Sequence, residues 1–478
     1  MNWYLIPLGA LVLLAAVVLI RAFRFRPKDE ERAAPCPVEV DGDRAVRHLA
    51  AMVQCRTVSY YDRSRQDMAE FDRFRALLPR LYPAVHRACT FERVGESGLL
   101  FTWRGRGSAE PTVLMAHYDV VPVNEAGWSK PAFDGIIEDG VLWGRGTLDT
   151  KGTLCGVLEA AETLLEAGFR PENDIYMAFA GDEEISGPSA DAIVSLLKER
   201  GVTPQLVVDE GGAVVEGVFP GVTQPCALVG IGEKGPLNVQ FRVTSGGGHA
   251  SSPPAHTSVG ILSRAAVAVE NHPFRFTLTP PAAKMFDTLG RRSTFVYRLI
   301  FANLWLFAPV LDRITRKSGG ELNALVRTSV AFTQMQGSAA PNVLPPEASM
   351  VANLRLIGGE TVESAVAGLR QRVNDSRVEI TVLEGENPSP ASDTDCRGWR
   401  DLKAAIEQTW PEAVVSPYLM IACSDSRHYC RISDKVMRFS AMALSGEERR
   451  LIHGNDERIP LATVKKTVEF YVRLIQKR

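Results

Sequence analysis

No CxxC pair, no internal repeat and no low-complexity tract occur in the 478 residues, and neither sign of charge is in excess. Each absence removes a class of protein. With 54 basic and 56 acidic residues mixed along the chain the formal net charge is −2, and the basic stripe that a nucleic-acid partner would favour is missing. The eight cysteines (Cys36, Cys55, Cys89, Cys155, Cys226, Cys396, Cys423 and Cys430) are scattered. In so long a chain they read as free, mostly buried thiols rather than a disulfide framework, in agreement with the cytoplasmic side of a membrane. Apolar content of 45% and charged content of 23% are those of an ordinary globular protein with room for two or three domains.

Charge is absent altogether from "WYLIPLGALVLLAAVVLI", residues 3–20. As a helix this stretch is about 27 Å long, close to a bilayer core. Arg21, Arg24, Arg26 and Lys28 follow it. A secretory signal carries its positive charge before the apolar run and a small-residue cleavage site after it; neither is clear. The expectation is an uncleaved single-pass N-terminal transmembrane anchor over 1–26, with an atypical signal peptide or a buried helix as the other readings. The basic flank places the bulk of the chain on the cytoplasmic face by the positive-inside rule. A polar, proline-containing linker (27–43) follows.

Residues 44–90 read mostly as helix. Beyond residue 111 strands and helices alternate: "TVLMAHYD", "GTLCGVLEAAETLLEAG", "DIYMAFAGDEE", "ADAIVSLLKERG" and "PQLVVDEGG". That alternation argues for an α/β layer structure. Near residue 228 the pattern changes. "PLNVQFRVTS" alternates apolar and polar residues as a half-exposed strand does. A helix at 257–271, strands at 326–336 and 347–357, a helix at 361–374 and the strand "VEITVLEG" complete a two-layer βαββαβ unit spanning 228–384. The part read as 44–227 resumes at 385–478, so one domain is inserted into another. Within the insert, 274–325 contains "STFVYRLIFANLWLFAPVL", interrupted by Arg298, Asn303 and Pro309. It reads as a buried helical hairpin or subunit contact; a second span, a wall for a greasy ligand and a membrane-touching surface are the other readings.

Acidic residues collect where strands end. Asp182, Glu183 and Glu184 follow "DIYMAF", His117 and Asp119 follow "TVLM", Asp149 lies in "GRGTLDTKG", and Asp209 closes "LVV". In open α/β sheets that edge is where sites form. Unpaired buried carboxylates are costly. One histidine and several carboxylates on one rim suit a divalent metal, and one or two dications would offset the charge. Each residue alone is a weak signal; the set, its order and its placement after strands carry the inference.

Together "AHYDVVP", "GRGTLDTKG", "GDEEISG", "VVDEGG", "GGGHASSPP", "NVLP" and "LIHGNDERI" resemble the dinuclear-zinc aminoacylase/carboxypeptidase family of metallopeptidases. Within it "WGRGTLD" and "DEEISGP" look most like the carboxypeptidase S branch, which includes N-fatty-acyl-amino-acid hydrolases. The resemblance runs from about residue 45 to the C-terminus. It implies an α/β fold whose zinc-peptidase-like catalytic domain, a mixed sheet flanked by helices, is interrupted by a lid or dimerisation domain. It implies two zinc ions (Zn2+), with Co2+ or Mn2+ as alternatives. His117 and Asp209 would bind one, Glu184 and His453 the other, and Asp149 would bridge both. Asp119 would fix the His117 tautomer. Glu183 would act as general base on a metal-bridged hydroxide. His249 would stabilise the oxyanion in a second subunit, which implies a homodimer. Asn342 would contact substrate, and Arg355 would grip a substrate carboxylate. Arg427, in "SDSRHY", is a further candidate for the carboxylate. Two departures bear on substrate preference: Cys423-Ser424-Asp425 stands where many relatives have a Gly-Thr-Asp-like sequence, and Thr150 replaces an acid common in the branch.

The implied function is hydrolysis of the amide bond of N-acyl amino acids, or of small peptides with a free carboxylate; the same catalyst could run the condensation. The alternatives are a dipeptidase or carboxypeptidase with no long-acyl preference, a dinuclear-metal phosphoesterase, and a non-catalytic metal-binding scaffold.

Overall fold

The computed structural model describes residues 5–28 and 31–478; the first four residues of the expected anchor and two of the linker lie outside the described residues. The larger core is built on an eight-stranded mixed sheet. Its order is Thr90–Val94, Gly98–Trp103, Asn173–Ala180, Gly107–His117, Leu206–Val215, Val436–Leu444, Cys226–Glu233 and Val414–Met420. The central strands Asn173–Ala180, Gly107–His117, Leu206–Val215 and Val436–Leu444 are mutually parallel. Helices cover both faces, so the strands are apolar on both sides. This is why "DIYMAFA" and "TVLMA" read as runs rather than alternations, and why every residue of Asn173–Ala180 is buried.

Helix Lys151–Glu166 packs beneath the sheet against Leu461–Ile475 and Gly42–Val53. Its first residue, Lys151, is fully buried. The ammonium donates to the carbonyls of Met52 and Cys55 at 3.2 and 2.7 Å, next to the C-terminus of helix Gly42–Val53. Burial lowers its pKa to about 8. The loop carrying Asp149 is thereby tied to the end of helix Gly42–Val53.

A second, four-stranded antiparallel sheet is ordered Ser329–Gln336, Glu347–Leu356, Gly235–Thr244 and Glu379–Gly385. Helices Ser258–Asn271 and Val362–Val373 cover one face. Leu237, Val239, Phe241 and Val243 point into this separate core, as the period-2 pattern requires. The chain crosses between the sheets on two adjacent segments. Ser389 N–H donates to Glu233 O at 3.1 Å, Glu233 N–H to Ser389 Oγ at 2.9 Å, and Glu386 N–H to Pro236 O at 2.9 Å. Lys234 is buried between them and donates to the carbonyls of Ala324 and Arg327 and to Ser329 Oγ.

The apolar insertion folds as helices Pro280–Gly290, Phe295–Phe301, Leu304–Ser318 and Gly320–Ala324. Phe286 and Phe301 cluster with Phe219 of the larger core. Helix Leu5–Arg24 is long and apolar enough to cross a membrane. Of its residues 6–24 only Val18 and Ala22 are buried, against the insertion.

At the crossing, a Cβ on Gly235 would meet Glu386 O at 2.3 Å and the Asn387–Pro388 peptide at 2.7 Å. Both neighbours are backbone, so neither can swing aside. Gly235→Ala is expected to destabilise the chain by about 1–3 kcal/mol, read as a lowered midpoint in denaturant unfolding.

Candidate active site

Asp119 is fully buried, and its carboxylate organises the acidic turn at Glu183–Ile185. Oδ1 accepts the backbone N–H of Glu183 and Oδ2 that of Glu184, both at 3.1 Å. Asp182, the first of the three neighbouring acids, faces away: its oxygens accept Ser189 N–H and Oγ–H at 3.3 and 2.9 Å at the start of helix Ser189–Glu199. A cluster of three in the sequence is therefore one structural residue and two that face the site.

His117 ends its strand. Its Nδ1 lies 3.0 Å from the Asp119 carbonyl and 3.4 Å from Asp119 Oδ1. A carbonyl only accepts, so Nδ1 carries a hydrogen and the neutral ring keeps its lone pair on Nε2. That Nε2 faces Asp149 Oδ1 at 3.0 Å and Glu210 Oε1 at 3.5 Å. Asp149 turns its other oxygen, Oδ2, to His453 Nε2 at 3.0 Å, and His453 Nε2 lies 3.1 Å from Glu184 Oε2. One carboxylate thus stands between two histidines, each with an acid of its own. The donor atoms of His117, Asp149 and Glu184 lie within 4.8 Å of one another, and so do those of His117, Glu183 and Glu210.

Asp209 was expected in this group; the donor atoms that come within reach of one another include Glu210, while Asp209, its neighbour, is buried and within electrostatic reach of His117. The strand does not stop at Asp209 but runs on to Val215. The pairing with Val436–Leu444 is irregular between Asp209 and Gly212, so the simple alternation of a strand does not separate the two acids, and the His117 charge acts on both. Asp209 Oδ2 accepts the Ser426 N–H at 3.0 Å.

Glu457 plays for Asp149 and His453 the part that Asp119 plays for the acidic turn. Its buried Oε1 accepts the backbone N–H groups of Gly146, Leu148 and Asp149 at 3.1, 2.8 and 3.3 Å. Its Oε2 pairs with Arg145 at 2.7 Å, and Arg145 Nη2 reaches the carbonyls of His453 and Gly454 at 3.3 and 2.8 Å. His453 has φ +58°, a left-handed backbone uncommon outside glycine, and this clamp holds it there. Neither Glu457 nor Arg145 was singled out from the sequence, although "GNDERI" and "GRGTLD" contain them.

Uncompensated negative charge is evident in the acids. Burial, with the charges of Glu210, Asp425 and Glu184, pushes Glu183 well above the usual carboxylate range. Burial and the Asp149 charge do the same to Glu210, and burial raises Glu184 and Asp209. Only Asp149 is pulled down, because hydrogen bonds from both histidines outweigh its burial. Hydrogen bonds to Asp149 and Glu184 raise His453 to about 10. Burial opposes a charged His117, yet Glu210, Asp119 and Asp149 push its pKa well up. Glu184 Oε1 is buried with no hydrogen-bond partner, and buried acceptors are rarely left so. Imidazole lone pairs facing carboxylates, an orphaned buried oxygen and a bridging carboxylate together fit divalent metal ions with nitrogen and oxygen ligands.

Glu183, Glu184 and His453 line a cleft of about 310 Å³ together with Arg355, Asn353, Cys423, Arg427 and Glu386. No residue of the 274–325 insertion lines it. Arg355 donates to Cys423 Sγ at 3.0 Å and has no acidic partner among the described residues. Arg427 is already engaged, with Ser424 O at 3.0 Å, Glu386 at 3.3 Å and Glu233 at 3.9 Å. His249 and Asn342 come together through the short ladder Gly248–His249/Val343–Leu344, and Ala250 N–H donates to Asn342 O at 3.0 Å. Both are exposed and neither lines the cleft of their own chain. His249 Nδ1 accepts the Ser251 N–H at 3.1 Å, leaving the hydrogen of the neutral ring on the outward Nε2.

Residues 113–477 match the family described as Peptidase family M20/M25/M40. The chain is 33% identical over 480 residues to a probable carboxypeptidase S-like protein of Dictyostelium discoideum, spanning 96% of this chain and 91% of that one. It is 35% identical over 481 residues to an N-fatty-acyl-amino acid synthase/hydrolase of Xenopus tropicalis, spanning 98% and 93%. Among solved structures it resembles in fold an M20 family metallo-carboxypeptidase of Sulfolobus solfataricus, with TM-score 0.65, 15% identity and coverage of 90% and 98%. Human carnosine dipeptidase 1 gives TM-score 0.63 at 15% identity, with coverage of 91% and 95%.

The contrast between Glu210 and Asp209 is open to measurement. Glu210→Gln is expected to weaken divalent-metal binding by at least about ten-fold, read as metal retained per chain after dialysis and as a smaller rise in melting temperature on adding Zn2+. Asp209→Asn, which keeps an acceptor for Ser426, is expected to retain more metal. The opposite order would return the ligand role to Asp209.

Proposed function

From the premise that the chain belongs to peptidase family M20/M25/M40, and is therefore an enzyme of the metallopeptidase and amidohydrolase class, we propose that it cleaves the amide linking an acyl or aminoacyl group to an amino acid with a free carboxylate. The observation that carries this reading is the cleft, where the Glu183 carboxylate and the Arg355 guanidinium face one small volume. A planar guanidinium fork is matched to a carboxylate, and among the described residues Arg355 has no acidic partner while Arg427 has. The curated relatives include proteins named for N-fatty-acyl amino acids.

His117, Asp149, Glu184 and His453, with Glu210, would hold two divalent ions. Ions bound there supply Lewis-acid charge, which acidifies water and polarises a carbonyl. The chain's own residues do the rest. Arg355 fixes the substrate carboxylate and so places the scissile amide beside Glu183. Glu183 faces the cleft from the turn that Asp119 holds, placed to take a proton from the attacking water and pass it to the leaving nitrogen. Asp119 holds the backbone of Glu183 and Glu184 so that the two side chains keep separate tasks. His249 of a second copy would donate its Nε2–H to the oxyanion, which accounts for its exposure here.

A second reading, a dipeptidase or carboxypeptidase without long-acyl preference, is favoured by one observation: the cleft is lined largely by polar side chains and none comes from the apolar insertion. Chain-length dependence separates the two. On a panel of N-acyl amino acids of increasing acyl length, dipeptides and phosphoesters, followed by mass spectrometry with and without Zn2+, the first reading expects long-chain N-acyl amino acids to turn over fastest. Turnover of phosphoesters alone would overturn both. Glu183→Gln is expected to lower kcat by about 10²–10⁴-fold while the protein still binds metal. Arg355→Lys, which keeps the charge but loses the fork, is expected to act mainly on KM.

A further inference from the structure

We propose that the bent hairpin of helices Phe295–Phe301 and Leu304–Ser318 is a membrane-seating surface: it lies in the headgroup region of a bilayer beside the exit of helix Leu5–Arg24. The proposal is independent of the reaction catalysed. It starts from how the N-terminal helix is held. Asn303, fully buried, donates from Nδ2 to Val18 O at 3.1 Å and to Leu299 O at 2.9 Å. Arg21 Nε donates to Ala302 O at 3.1 Å, and the Phe23 and Phe295 rings lie 5.0 Å apart. Just beyond the helix, Arg291 stacks on Phe25 at 4.5 Å and donates to Arg26 O at 3.1 Å. The junction of the two short helices is therefore fixed at the level of Val18.

Above that level the N-terminal helix is bare. Ile6, Leu11, Val12 and Leu13 are each more than 60% exposed, an apolar surface that only hydrocarbon covers without cost. From Val18 to the helix end at Arg24 is about 9 Å along the axis, the depth at which interfacial helices lie. The hairpin's outer surface has the composition for that depth. Val296, Trp305, Val310 and Ile314 are all at least half exposed, and Tyr297 is 42% exposed. Tryptophan and tyrosine are favoured at membrane interfaces. The two helices meet at 106°, so the pair is bent too sharply to continue as one straight span. Basic groups flank it where headgroups would be: Arg24 at the end of the long helix, Arg26 just beyond it, and Arg313 and Lys317 in the last turns of Leu304–Ser318, all exposed. The apolar surface is thus continuous with the N-terminal helix and edged by charge complementary to anionic lipid. None of it lines the catalytic cleft.

The test uses the full chain reconstituted in vesicles of phosphatidylcholine and phosphatidylglycerol whose acyl chains carry bromine, which quenches nearby tryptophan. Wild type and Trp305→Phe are compared, the exposed position making the variant mild. The expected result is that wild type loses a share of emission that the variant lacks, and loses more with bromine near the headgroup end than at the bilayer centre. Equal fractional quenching of the two proteins overturns the proposal. A photo-crosslinking benzophenone residue in place of Val310 is expected to attach to phospholipid, whereas the same residue in place of Val382, exposed on the smaller sheet, is expected not to. Attachment of the Val310 probe to a second copy of the chain would assign the surface to a subunit contact instead and overturn the proposal.

Discussion

Two carboxylates that never face the substrate volume hold the site together. Asp119 gives both oxygens to the backbone of Glu183 and Glu184, and Glu457 binds three backbone amides of the Asp149 loop while pairing with Arg145. Hydrogen bonds to a charged acceptor contribute about 1.5–3 kcal/mol each, and more is lost when a buried partner is removed. They are needed because the groups they position repel one another: Glu183, Glu184, Glu210 and Asp149 converge on two imidazoles. Without those fixed amides the loops would splay to separate the charges. The arrangement is a preorganised demand for cations, and the rise in carboxylate pKa measures the demand in protons.

This division explains which parts of the site were legible in the sequence. His117, Asp149, Glu184 and His453 lie in short motifs at strand ends, where residue type and placement carry the signal, and the structure brings them within reach of one another. Glu457 and Arg145 are invisible to such a reading. Their partnership spans 312 positions, and each alone is an ordinary loop charge. The choice between Asp209 and Glu210 depends on a strand that continues through both, past a register irregularity against Val436–Leu444. "LVVDEGG" places two acids in sequence, and both end within electrostatic reach of His117, with Glu210 Oε1 3.5 Å from its Nε2. Asp182 was hidden for a related reason, since the backbone of its turn sends its carboxylate to Ser189.

The alternation of strands and helices made the main layer legible, and clean period-2 alternation in "PLNVQFRVTS" marked the smaller sheet. What periodicity could not supply was the relation between the apolar insertion and the N-terminal helix, which have no local signal in common. Their contact is a matter of Asn303 and Arg21 reaching main-chain carbonyls on the facing helix. Those polar atoms, which interrupt both apolar runs, are what join them. A residue that argues against a continuous span in the sequence is here the one that fixes the bend to its neighbour.

The same reasoning reaches the substrate side through Cys423, the residue that departs from the family pattern. Its thiol accepts the Arg355 guanidinium at 3.0 Å and donates to the Lys234 carbonyl at 3.1 Å. Arg355 belongs to the smaller sheet and Cys423 to the larger part, while Lys234 is the crossing between them. Next to it Glu233 binds Arg438 and the Ser424 N–H at 3.1 Å each. The guanidinium that faces the cleft is thus positioned by the segment that crosses between the two sheets. Glycine at position 423 would leave Arg355 without this contact. The cysteine therefore ties Arg355, on the smaller sheet, to the segment that crosses to the larger one.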